Sequence, residues 1–393
     1  MKLPDSWHKS PLGELFKKIV VGYVGNVNDH YCDASRGVPF YRTLNIRDGY
    51  FRHDEIRHVT KEFNDKNKKS QIENDDIVIA RVGANLGMVC KVSGLNGMAN
   101  MANAIIIKKK SAKNASSDFY TYFLLSPYGK SQIYAGAAGG AQGVFNTKLT
   151  QEISVPVPPL PEQKKIAKIL STWDKAITTT EQLLANSQQQ KKALMQQLLT
   201  GKKRLLDSND VRFSGEWRFI TFDDVFKVNN KKSAQVKSSD YLEAGAVPVV
   251  DQGKQLIVGY CNNEERYTDI PVIVFGDHTR CLKWVDFDFC PGADGTQVLD
   301  TKAGIDKKFG YYSLCFTDIP NLGYSRHMRE LKEKDFKVPL DANEQQKIAA
   351  VLSTADQEIT TLQQKLDALK QEKQALMQQL LTGKRRVKVE EAA

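Results

Sequence analysis

The chain has 393 residues, 41% hydrophobic and 26% charged, with a net charge of +10 and a pI near 9.1. That length predicts two or three domains, each long enough to bury its own core. No run of eighteen apolar residues offers a membrane span, and the N-terminus "MKLPDSWHKSPLGELF" lacks the apolar core of a secretory signal. The expectation is a cytoplasmic protein with a polyanionic partner, nucleic acid first. The charge is uneven, however. Residues 1–160 hold 21 basic against 14 acidic residues, 161–204 hold 9 against 3, 205–342 hold 18 against 22, and 343–393 hold 8 against 7. The basic argument therefore applies to the first half; a second half that binds DNA must use local clusters. Six cysteines form no C-x-x-C pair and no His stands at zinc-finger spacing, so reduced thiols and no metal are expected.

The first half opens on "WHKSPLGELFK" (Trp7–Lys17), an aromatic-anchored strand and short helix. Strand patterns follow at "DDIVIARVG" (Asp75–Gly83) and "NAIIIKKK" (Asn103–Lys110), then an aromatic helical stretch "DFYTYFLLSP" and a closing strand in "QEISVPVPPLPEQ". The loops carry the candidate chemistry. "FYRTLNIRDGYFRHDEIRH" (Phe40–His58) interleaves arginines with aromatics, and Arg42, Asn45 and Arg47 are residue types that contact guanine and adenine edges in pairs of hydrogen bonds. Arg81 and Asn85 stand in the glycine-framed turn "ARVGANLG". "GGAQGVFNTKLT" offers Gln142, Asn146 and Lys148, but without the G-K-[ST] end of a phosphate-binding loop. A solvated charged surface is the bland alternative for the first of these loops, Phe40–His58.

From Glu162 to Arg204 the chain reads as one long helix, rich in Gln, Lys, Leu and Ala and free of glycine until Gly201. The second half repeats the plan. "WRFITFDDVFK" (Trp217–Lys227) opens it, "DIPVIVFGD" (Asp269–Asp277) is its buried-strand pattern, and "KKFGYYSLCF" its aromatic helix. "DQGKQ" contributes Gln252 and Lys254. "GDHTRCLKW" contributes His278, Arg280, Lys283 and Trp284 as donors and one stacking face, and "NLGYSRHMREL" adds Tyr324, Arg326 and His327. This second set is also compatible with a sugar- or anion-binding site. "KDFKVPLDANEQ" leads into the second long helix, Glu344–Arg386.

The two helical stretches align without a gap, and 27 of 43 pairs are identical; "ALMQQLLTGK" occurs in both. Such a long period marks an internal duplication rather than a solenoid. The apolar period is 3.5. The seam of the first copy runs through Ile166, Leu170, Trp173, Ile177, Leu184, Leu194 and Leu198. That of the second runs through Ile348, Leu352, Ile359, Leu362, Leu366, Leu376 and Leu380. Lys191 and Lys373 interrupt the seam at matching places, either to set register or to reach outward along the surface. Each helix spans about 57 Å at 1.5 Å per residue. Antiparallel pairing would make the chain a pseudo-two-fold dumbbell.

No catalytic set is readable. The chain has no [DN]-P-P-[FY] tetrapeptide, no Walker A sequence, no H-E-x-x-H and no Ser-His-Asp or Cys-His pairing. A nuclease-like pattern forced from Asp318, Glu330 and Lys332 has a spacing that chance supplies often.

The Trp and Leu-Gly opening, "IVIARVGANLG", the junction "VPVPPLPEQKKIAKIL" and the duplicated "ALMQQLLTGKKRL" and "ALMQQLLTGKRRV" together resemble the specificity subunit of type I restriction-modification enzymes, over nearly the whole length. The second junction departs from the pattern, reading "VPLDANEQQKIA". The resemblance implies an α+β chain with target recognition domains at 1–158 and 205–340, helical spacers at 159–204 and 341–388, and a tail at 389–393. It implies that each lobe reads half of an asymmetric bipartite site in double-stranded DNA. Two modification subunits would carry adenine-N6 methylation with S-adenosylmethionine, and two restriction subunits ATP-driven translocation and cleavage with Mg. This chain itself would hold no cofactor and act as a non-catalytic reader. The competing readings are a coiled-coil scaffold with two ligand-binding lobes and no nucleic-acid role, which the acidic second half favours, and a self-sufficient enzyme with degenerate motifs.

Overall fold

The computed structural model describes residues 3–138, 144–323 and 325–389. They form two compact units, Met1–Thr180 with Lys365–Ala393, and Glu181–Gln364. This division differs from the linear one expected from sequence, because it cuts both long helices. Each unit holds one α+β lobe and a portion of each helix.

In the first unit the strand Ile77–Ala80 is buried at every position. It lies in an antiparallel sheet ordered Ile19–Val21, Ala104–Ile107, Ile77–Ala80, Val89–Lys91. Alternation sends Ile77, Ile79, Ile105 and Ile107 into a core with Phe119 and Phe123, while Val78, Ala80, Ala104 and Ile106 meet Tyr41, Phe51 and Met101 on the other face. Two buried faces explain the unbroken apolar run in the sequence. The second layer is a mixed sheet, Arg57–Val59, Val38–Tyr41, Ala99–Met101, Gln71–Ile72, whose middle pair is parallel. A ribbon of His8–Pro11 with Ser154–Val157 closes the lobe.

The second unit repeats this frame. Its antiparallel sheet is ordered Phe226–Val228, Thr296–Thr301, Val272–Gly276, Leu282–Val285. A smaller sheet of Gly259–Cys261, Val247–Val250 and Cys290–Pro291 again contains one parallel pair. The ribbon is Trp217–Thr221 with Asp335–Pro339. The two lobes share strand order although their sequences match at few positions.

The long helices run Leu160–Leu198 and Ala342–Leu380, 39 residues each. Every seam position named above is buried or half-buried. Gly201 and Gly383 close them at φ +68° and +72°, the left-handed conformation a C′ residue needs. Within the first unit the helical portions run antiparallel, since Glu162 pairs with Arg386 and Asp174 with Lys373. The second unit does the same through Arg204–Glu344 and Lys191–Asp356. The seam lysines therefore do not reach out to solvent; each is bound to an aspartate across the seam.

Local ion pairs tune the first lobe. The ammonium groups of Lys109 and Lys91 hold the Asp75 carboxyl below the usual carboxylate range, by side-chain hydrogen bonds before charge. Asp75 also sits at φ +71°, which asparagine tolerates. Asp75→Asn thus removes the charge and little else. Because the folded-state pKa is depressed, the stabilisation is present above the unfolded carboxylate pKa and is lost as pH falls through the folded one. Urea unfolding should show the wild type ahead of Asp75→Asn at neutral pH, by under about 1 kcal/mol at this partly exposed site. The gap should close in acid; a pH-independent difference would refute the assignment.

Candidate nucleic-acid interface

In the first lobe the three loops singled out from sequence meet at one place. The turn after Ile77–Ala80 reaches the loop after Val38–Tyr41 through Asn85, whose Nδ2 donates to the Thr43 carbonyl at 3.1 Å. The same turn reaches the third loop through Arg81, whose Nε donates to the Phe145 carbonyl at 3.4 Å while the Phe145 amide donates to the Arg81 carbonyl at 3.2 Å. Gly83 makes this turn at φ +75° with open space where a Cβ would stand, so the backbone conformation rather than crowding calls for glycine.

The second lobe assembles its counterparts. The His278 amide donates to Gln252 Oε1 at 3.1 Å, the Thr279 hydroxyl donates to the Gln252 carbonyl, and His278 Nδ1 stands 3.1 Å from the Ser325 carbonyl. Arg280 Nη1 donates to the Ile319 carbonyl at 2.8 Å. Loops far apart in sequence are thus brought to the end of the equivalent sheet in both lobes.

The named residues divide by what they can do there. Asn146, Lys148, Lys254 and Arg326 are exposed, while Arg42, Arg47, Arg81, Asn85, Gln252, His278 and Arg280 are half-buried along the same loops. Arg42 Nη2 donates to the Glu55 carbonyl at 3.1 Å, and its Nε is buried without a partner. Asn146 is also the N-cap of Thr147–Glu152, its Oδ1 accepting from the Leu149 amide. Gln142 and Tyr324 lie outside the described residues.

Four expected readers are corrected. Asn45 is fully buried; it accepts from the Arg42 amide and donates to the Asp54 carbonyl, so it shapes the loop instead of reaching a base. His327 is fully buried between the Asp277 carbonyl and the Leu322 amide. Lys283 is buried with Nζ on the Asp251 carbonyl at 2.6 Å; burial, against the pull of Asp251, takes its pKa below the ordinary lysine range. Trp284, one residue on, points to the opposite face of the sheet. Its ring packs against the lobe core, with Lys308 Nζ 3.9 Å from its centroid and Tyr311 beside it. It is not a platform for a base.

Other functional side chains escaped the sequence reading. Gln163 accepts from the Ser116 amide and donates to the Asn114 and Pro158 carbonyls; Gln345 treats Asp306, Gly304 and Pro339 in the same way. Each ties a lobe to the first turn of a long helix. Glu162 and Glu344 are the acceptors for Trp7 and Arg386 and for Trp217 and Arg204. The signal was present: the Glu-Gln pair recurs at the same place in both copies.

A family model described as the type I restriction modification DNA specificity domain matches residues 4–186 and again 214–371. The chain belongs to that family. It is a type I specificity subunit with two copies of the domain. A relative named for the MjaX specificity subunit of Methanocaldococcus jannaschii is 26% identical over 418 residues, covering 98% of this chain and 95% of the relative. The MjaVIII specificity subunit of the same organism is 24% identical over 427 residues, covering 99% and 95%. The crystal structure of the S subunit from M. genitalium covers 97% of this chain and 98% of its own at 15% identity, with a TM-score of 0.62, a likeness of fold.

Proposed function

We propose that each lobe of this specificity subunit reads one half of an asymmetric bipartite site in double-stranded DNA. The observation that carries the reading is the convergence, in both lobes, of three polar loops at the end of one sheet. The loops differ in residues while the frame is shared, which suits two different half-sites. In this reading the long helices space the lobes and dock two modification subunits, and two restriction subunits join the assembly. S-adenosylmethionine, ATP and Mg belong to those partners, and the chain is a cytoplasmic, non-catalytic reader. Among the described residues no helix is long and apolar enough to cross a membrane.

Gel-shift with the modification subunits present tests this directly. Absence of any sequence-dependent DNA binding would remove the reading and favour the scaffold alternative. Mapping methylated adenines in the host genome with and without this gene identifies the site. Two substitutions then separate base from backbone contacts. Arg47 is half-buried at the tight Ile46–Phe51 hairpin, with Nη1 on the Ile46 carbonyl. Arg47→Ala is expected to cost about 1–3 kcal/mol and relax preference at one base pair. Lys148→Ala at an exposed position is expected to weaken all sequences alike and to lower the salt slope by about one.

A further inference from the structure

Each seam lysine belongs to a three-residue group that loop-based recognition does not use. In the first unit Asp174, on the first long helix, takes two donors. Lys373 Nζ, on the second helix, reaches its Oδ1 at 2.5 Å, and the Tyr122 hydroxyl reaches its Oδ2 at 2.6 Å. In the second unit Asp356, now on the second helix, takes Lys191 Nζ at 2.5 Å and the Tyr312 hydroxyl at 2.8 Å. The ammonium of each lysine also stands over the ring of its own tyrosine, at 5.7 and 5.5 Å from the centroid. Tyr122 lies on the lobe helix Ser117–Leu125 and Tyr312 on its counterpart Lys307–Phe316. Each group therefore joins a lobe to both helical portions of its unit.

Such a group is poor glue. The Lys373 and Asp174 side chains are 21% and 41% exposed, and a pair at that exposure contributes little net stability. A charged residue in an apolar seam costs stability and is best explained by geometry. A carboxylate with both oxygens engaged cannot turn without losing a charge-assisted bond. Burial first, and the facing Asp174 after it, push the Tyr122 phenol up, so it stays a donor; burial does the same at Tyr312. Beside the first group lies a cavity of about 480 Å³ bordered by Leu125, Pro127, Ile177 and Met377. The lobe helix shares one buried core with the long helices, through Phe119 and Phe123 on its side and Ile166, Leu170 and Leu380 on theirs, and the hydrogen bonds add direction to that packing.

We infer that the Tyr122–Asp174–Lys373 and Tyr312–Asp356–Lys191 groups fix the angle at which each lobe stands on its own helix pair, and thereby restrict the subunit to one gap length between half-sites. The inference rests on the bipartite DNA reading above. The test uses the full chain assembled with its modification subunits, on duplexes carrying the mapped site with the gap unchanged or altered by one base pair. Tyr122→Phe keeps the ring and removes one donor to a charged acceptor, a loss of about tenfold in alignment. Wild type is expected to methylate the altered gaps at least about tenfold more slowly than the parental one; Tyr122→Phe and Tyr312→Phe should each bring that ratio within about threefold.

The control is Tyr120→Phe. Tyr120 is buried, and its hydroxyl bonds the Pro156 carbonyl inside the lobe. That variant should lower the melting temperature and keep the parental gap. If Tyr122→Phe gives no assembled complex, Lys373→Met and Tyr312→Phe carry the same readout. Both tyrosine variants keeping a strict gap would overturn the inference while leaving the recognition reading intact. Wild type methylating no bipartite site would overturn that reading first.

Discussion

Glu344→Ala is expected to destabilise the second unit by about 2–4 kcal/mol, and Glu162→Ala to destabilise the first by less. The two glutamates do the same work. Arg204 Nε and Nη2 bond the Glu344 carboxylate at 2.5 and 2.7 Å, and Trp217 Nε1 bonds it at 3.3 Å. Arg386 bonds Glu162 at 2.7 and 2.8 Å, and Trp7 Nε1 at 3.0 Å. Each arginine also lies 5.7 Å from the centroid of its tryptophan ring. Three chain segments meet at each carboxylate: the first strand of a lobe, the start of one helix and the stretch after the other. Removing the buried carboxylate takes the acceptor from a guanidinium and an indole N–H together, and donors left without it cost more than the intact pair contributes. The asymmetry comes from water. Arg204 is 20% exposed and Arg386 is 44% exposed, so solvent recovers more of the loss in the first unit. Calorimetry of the full chain should show the second unit's transition moving down by roughly 2–4 °C for each kcal/mol. Equal shifts for the two variants would contradict the part assigned to burial.

The helices were legible because their signal is periodic and doubled. The seam, the glycine stops and the 27 identities each point to the same boundaries. The central strands were legible because Ile77–Ala80 and Val272–Gly276 are buried throughout, so their sequences are unbroken apolar runs. The second sheet of each lobe was not. Its strands are as short as the two residues of Gln71–Ile72 and Cys290–Pro291, too short for alternation to register. The three polar loops could be found by composition, but not the role of each residue within them. Lys283 and Trp284 are neighbours in the chain, yet alternation on a strand sends one to the loop face and the other to the core. Burial also decides for Asn45 and His327, and no local signal distinguishes a buried Asn holding a turn from an exposed one. The Lys–Asp–Tyr groups were half visible. The matching lysines were evident, but Asp174 and Asp356, identical in the two copies, gain meaning only when the antiparallel seam brings them opposite those lysines.

Four residues added to both long helices, after Thr180 and after Gln364, are expected to lengthen the recognised gap by about one to two base pairs and leave both half-sites unchanged. Four residues turn a helix by about 400°, some 40° past a full turn, and add about 6 Å of rise. The base-pair rise of DNA is about 3.4 Å. The pairs that join the two helices within each unit lie on one side of the insertion: Glu162–Arg386 and Asp174–Lys373 in the first unit, Lys191–Asp356 and Arg204–Glu344 in the second. Extending both helices keeps every one of them. Extending only the first does not. Asp174 and Lys191 are 17 residues apart on the first helix, and Asp356 and Lys373 are 17 apart on the second. An unmatched insertion leaves about 6 Å of helix without a counterpart, so one group must open or the seam must slip. The single insertion should therefore lose methylation or assembly, and the double insertion should restore both at a longer gap. Methylation mapping of the two variants reads this out. A double insertion that assembles and still methylates the parental gap would sink the idea that the helices measure it.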